Sequence, residues 1–135
     1  MTAVKLYFAT LIPFLIVDAV WLRYVMQPLF ERHIGPIMAE TPRYEVAAIF
    51  YLAYVAGIVW FAGLPGLRAE SVGWAALNGA ILGAIAFGTY EATNMATLKG
   101  WSWQMFVTDI AWGTALTAGA AAAGVAILRA LGQAG

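Results

Sequence analysis

The sequence predicts an all-α membrane protein: four transmembrane helices in a compact bundle, with a short interfacial segment between the first and second helices. Three observations carry that expectation. The 135 residues are 63% hydrophobic and 10% charged, where soluble domains average roughly 45–50% apolar and about 25% charged. The charges leave residues 46–67, 71–90 and 110–128 empty, runs of 22, 20 and 19 residues, each near the ~20 that carry a helix across hydrocarbon. These runs are apolar at every phase, whereas a transmembrane strand alternates apolar and polar over about ten residues. The length suits a single membrane domain with spans at 4–26, 45–65, 72–95 and 103–128.

The first span, 4–26, crosses only if Asp18 is tolerated within it. A cleaved secretory signal is the rival reading of Lys5 and the apolar stretch after it. It fails because no small-x-small cleavage site follows, and Asp18, Trp21 and Arg23 stand where one should be. Between the first two spans, Pro28, Gly35, Pro36 and Pro42 are expected to prevent a continuous helix. Leu29, Phe30, Ile34, Ile37 and Met38 fall there at helical spacing around Glu31, Arg32 and His33, which predicts a segment lying on the membrane surface. The other connections, Pro65–Glu70 and Thr97–Ser102, read as tight turns.

Spans three and four are expected to pack as a close hairpin. Gly79 and Gly83 form a GxxxG pair, Ala76, Ala80, Ala84 and Gly88 continue the spacing, and Gly113, Thr117, Ala118 and Gly124 line the fourth span. Small residues let backbones approach closely in lipid, where van der Waals contact replaces the hydrophobic effect. The same surface suits a homodimer. Trp60, Trp74, Trp101 and Trp103 fall near span ends and read as interfacial belts. Four spans put both termini on one face and loops one and three on the other. Lys5, Arg68 and Arg129 mark the first face, and Arg23, Arg32, Arg43 and Lys99 the second. The excess of one positive charge leans toward loops one and three being cytoplasmic.

Composition also excludes functions. Zero net charge offers no field for nucleic acid. The absence of cysteine removes thiolate chemistry, and a lone His33 cannot supply a di-iron site or a bis-His haem. No metal and no cofactor are expected.

The chemistry that remains lies in the acids. A carboxylate near the bilayer centre costs about 2.5–3.5 kcal/mol on insertion scales, and the spans hold three: Asp18, Glu91 and Asp109. Asp18 precedes Pro28 by about 13 Å of helix, and Glu91 and Asp109 lie about 9–12 Å from the same face. Asn94 is one turn beyond Glu91, and Tyr51 and Tyr54 belong to the corresponding half of the second span. Thr93 and Thr97 are expected to bond back to their own helix. An interhelical hydrogen bond returns only roughly 0.6 kcal/mol on average, a small reward for burying three acids. Asp18, Glu91, Asn94 and Asp109 are therefore the candidate pocket or ion-binding residues, with Trp21, Trp112, Tyr51, Tyr54, Tyr90 and His33 in support. Such a cluster can carry a proton or cation, hold a lipid headgroup, or serve as an acid–base pair on an amphiphile.

Two acids share a pattern, Asp18-Ala-Val-Trp21 and Asp109-Ile-Ala-Trp112, which places acid and indole one turn apart. With the run from Tyr90 through Glu91, Thr93, Asn94 and Thr97 to Leu98, these motifs resemble a bacterial family of four-helix membrane proteins known as domain of unknown function 2177. The resemblance spans nearly the whole chain. Glu91 and Arg23 depart from it, the family more often carrying Asp and Gly there. It implies an integral protein of the bacterial inner membrane, and a setting in membrane-lipid modification or stress response. Together with the acids it favours a lipid or other amphiphile as the partner. A small proton-coupled transporter and a structural subunit of a larger membrane complex are the alternatives.

Overall fold

The computed structural model describes residues 1–38 and 43–132. It contains four helices long and apolar enough to cross a membrane: α1, Thr2–Ile37; α2, Tyr44–Arg68; α3, Val72–Thr97; and α4, Trp103–Ala130. Among the described residues there is no strand. Side chains such as Ile12, Ile16, Ile49, Phe61 and Ile85 stay exposed on the outside of the bundle, as apolar residues do when their outward solvent is lipid. The interior is a column of Leu6, Phe14, Ile58, Leu67, Val125 and Leu128.

Pro28 does not end the first helix. Leu22–Met26 form a π turn in which the N–H of Gln27 reaches back to Leu22 O, and Pro28 follows at once in the helical segment Gln27–Ile34. The widened turn shifts the hydrogen-bond register where proline has no N–H to give, and it relieves the clash between the ring and the preceding turn. The same arrangement recurs in α2, where a π turn at Val59–Gly63 precedes Pro65 and Leu64 N–H bonds Val59 O. Pro65 therefore sits within a helix, and the connection to α3 is confined to Ala69–Ser71. The 36 residues of α1 reach about 54 Å, well beyond the ~30 Å of hydrocarbon. Its polar end at Glu31, Arg32 and His33 accordingly belongs outside the apolar layer. Pro42, also expected to interrupt this region, lies outside the described residues.

That end of α1 is docked onto the turn between α3 and α4. Met26 and Leu29 pack with Trp101 and Met105 in a second small core, flanked by Phe30, Ile34 and Met95. The approach is closest at Gly100, where φ is +84° and a Cβ would stand 3.0 Å from His33 O. Gly100→Ala is expected to cost about 1–2 kcal/mol, the strain of a left-handed non-glycine residue. Thermal unfolding in detergent reads the loss, and an unchanged midpoint would refute the left-handed backbone at this turn.

The α3–α4 hairpin is the most intimate pair. A Cβ at Gly79 would lie 2.7 Å from Thr117 O, and one at Gly83 would collide with the Gly113 carbonyl. Gly88, on the neighbouring Ala76–Ala80–Ala84 row, faces open space. The Gly79–Gly83 pair of α3 is thus occupied within the chain. In α4, Gly113 accommodates the Phe87 ring and Gly124 accommodates Thr10 of α1. Ser71 and Ser102 cap α3 and α4, accepting from the N–H groups of Trp74 and Met105 at 3.0 and 3.1 Å.

Helix α2 joins the bundle through its second half, from Tyr54 to Leu67. Its first turns, Tyr44–Phe50, are exposed on every side and stand away from the other helices. The wedge left between them is the opening of the site.

Candidate functional site

The three membrane acids are buried, Asp18 to 4% exposure, Glu91 to 0% and Asp109 to 8%. Each is oriented by a different element. Asp18 Oδ1 accepts from Trp112 Nε1 of α4 at 3.0 Å, and the Tyr51 hydroxyl of α2 lies beside the same carboxyl. Glu91 Oε1 accepts from Trp101 Nε1 at 2.8 Å. The carboxyl of Asp109 lies alongside that of Glu91 and within electrostatic reach of Asp18. Glu91 Oε2, fully buried, has no hydrogen-bond partner.

The two Asp-x-x-Trp motifs meet. Trp21 and Trp112 stack with ring centroids 4.1 Å apart and planes 2° from parallel. The indole of the second motif donates to the carboxyl of the first, so the helices are tied across the bundle rather than each acid by its own tryptophan. The N–H of Trp21 has no partner. Parallel stacking fixes the Trp112 ring, and with it the direction from which Asp18 is held.

A groove of about 600 Å³ opens beside these groups. At its base are Asp18, Asp109, Tyr51 and Trp112; Phe50, Tyr54, Phe87 and Tyr90 add aromatic walls. Leu22, Phe30, Val46 and Ala47 continue the walls toward Arg43, the residue preceding α2. All four helices contribute. The Tyr54 hydroxyl is spent on Thr117 Oγ1 at 2.8 Å, which anchors α2 to α4 at the inner end of the wedge.

Not every residue expected here belongs to the groove. Glu91 lies behind Asp109 and does not line it. Asn94 is half-buried near Tyr90, outside the lining. His33 sits against the α3–α4 turn with its Nε2 unpartnered and does not line the groove. Thr97 donates to Thr93 O at 2.7 Å, an internal helix bond. Trp60, Trp74 and Trp103 are exposed, as a belt requires, whereas Trp101 is buried. Trp101 leaves the belt because the Leu98–Ser102 turn folds it back onto α3, where it becomes the donor that holds Glu91. Arg43, Phe50 and Phe87 carry no motif; the only sequence sign of Phe87 was the missing side chain at Gly113 opposite it.

Comparison with known families is in accord with this architecture. The family model described as "predicted membrane protein (DUF2177)" matches residues 3–126, so the chain belongs to that family and is a membrane protein with four candidate spans. No curated protein and no solved structure matches it.

Proposed function

We propose that this member of the DUF2177 family binds a lipid or other amphiphile in the groove, with the polar end at the Asp18–Asp109 layer and the apolar part between α1 and α2. One observation carries the reading: a cavity walled by apolar side chains and ended by two buried carboxyls is open sideways, because Tyr44–Phe50 stand off the bundle. A pocket for an amphiphile needs concave apolar walls and a few convergent polar groups. A sideways opening lets a lipid enter without leaving the bilayer.

The Asp109 and Glu91 carboxyls lie against each other in the interior, which speaks against acids that serve only as helix glue, since burying two acids side by side is costly where a neutral pair would tie helices as well. Transport would need the acid layer to be reached from both faces, and the core from Leu6 to Leu128 fills the bundle on the side of the termini. The setting we assign is the bacterial inner membrane, loops one and three facing the cytoplasm, with membrane-lipid modification or stress response as the context.

The test is photo-crosslinking of the purified chain with a phospholipid carrying a diazirine in its acyl chain. Labelling should concentrate on the peptides that hold Val46, Phe50 and Phe87, and it should fall several-fold in Ala47→Trp, which fills the groove while leaving every acid in place. Labelling spread evenly over outward positions such as Ile12 and Ile85, and indifferent to Ala47→Trp, would overturn the proposal.

A further inference from the structure

We infer that the polar end of the groove's occupant is a cation, so that the ligand class is a lipophilic ammonium ion: an amphiphile or aromatic molecule ending in a protonated or quaternary amine. The inference rests on the amphiphile reading and specifies its headgroup.

Charge is the first argument. Asp18 and Asp109 both line the groove although each is more than nine-tenths buried. Glu91 stands against Asp109 on the side away from the groove. These acids receive neutral donors, the indole N–H groups of Trp112 and Trp101 and the Tyr51 hydroxyl beside Asp18. Among the described residues no lysine or arginine is bonded to them. Arg43, which also lines the groove, precedes Tyr51 by eight residues, about 12 Å along α2. It belongs to the mouth. An anion at the base would face carboxyls at close range. A neutral hydroxyl would satisfy one acceptor and leave its neighbour unserved.

The aromatic walls are the second argument. Tyr51, Phe50, Phe87, Tyr90 and Trp112 line the same groove. The negative face of an aromatic ring attracts a cation, and such rings are the usual enclosure for ammonium groups that have no proton to donate. A cage of rings closed by carboxylates suits a cation that carries hydrocarbon, because each wall that favours the charge also buries the carbon around it. The apolar stretch at Val46, Ala47 and Leu22 then receives the remainder of the molecule.

Two probes of one shape and opposite charge test this: tetraphenylphosphonium and tetraphenylborate, measured by equilibrium dialysis against the full chain in a maltoside detergent. The phosphonium should bind saturably and on the order of tenfold or more tighter than the borate, a difference of about 1.4 kcal/mol or more. Asp18→Asn and Asp109→Asn should each remove that preference. Ala47→Trp, which retains all the carboxyls, should abolish phosphonium binding, so the outcome does not depend on acid variants that fold poorly. Equal binding of the two ions in the groove, or unchanged phosphonium affinity in both Asn variants, overturns the cation and leaves the amphiphile reading standing. Absence of phosphonium binding also overturns the cation, and the lipid crosslinking then decides the amphiphile reading by itself. Phosphonium binding that is indifferent to Ala47→Trp lies outside the groove and overturns the inference as well.

Discussion

The Gly83→Leu substitution is expected to unseat α3 from α4 and to be the most damaging single change in the chain. A Cβ at this position would collide with the Gly113 carbonyl and approach the Thr117 side chain, and backbone of a packed helix cannot swing aside as a flexible side chain can. Overpacking of this kind costs about 1–3 kcal/mol and sometimes more, and here the whole hairpin must separate for the side chain to fit. The control is Gly88→Leu, on the neighbouring small-residue row of the same helix, where a Cβ meets nothing within 4 Å. Unfolding in mixed micelles should show a large loss for Gly83→Leu and almost none for Gly88→Leu. Equal behaviour of the two would mean that α3 and α4 do not meet along this line.

The second large effect is expected at Trp101. Its indole N–H donates the hydrogen bond that orients Glu91 Oε1. Trp101→Phe keeps an aromatic ring in the small core with Met26, Leu29 and Met105 and takes the indole donor away from a fully buried carboxyl. Stranding a buried polar group costs about 1–3 kcal/mol, added here to the packing lost with the larger ring. Removing both partners avoids the first part, because two apolar groups of suitable shape leave nothing unsatisfied. Trp101→Phe combined with Glu91→Leu should therefore be more stable than Trp101→Phe alone. If the double variant is the weaker of the two, Glu91 draws its support from elsewhere and the bond from Trp101 is incidental.

The sequence by itself determined the solvent and the class of fold. Charge-free runs near 20 residues leave helices as the one way to satisfy backbone polar groups in lipid, and that argument needs no tertiary information. It also determined the close α3–α4 pairing, because the absence of side chains at Gly79 and Gly83 is visible as a spacing. The cost of burying an acid marks Asp18, Glu91 and Asp109 from the sequence alone.

Only the tertiary structure decided how those residues are used. Proline argued for a break at position 28, and a π turn absorbed it, a change of hydrogen-bond register that composition does not encode. Trp101 read as a belt residue from its place at a span end, until the turn at Gly100 carried it back to Glu91. The indole of one Asp-x-x-Trp motif turned out to serve the acid of the other, since stacking between Trp21 and Trp112 joins helices that are far apart in the chain. The groove was the least legible feature of all. It exists because α2 is anchored at Tyr54 and beyond but free at Tyr44–Phe50, and a cavity is a property of where helices fail to touch, which no local pattern records.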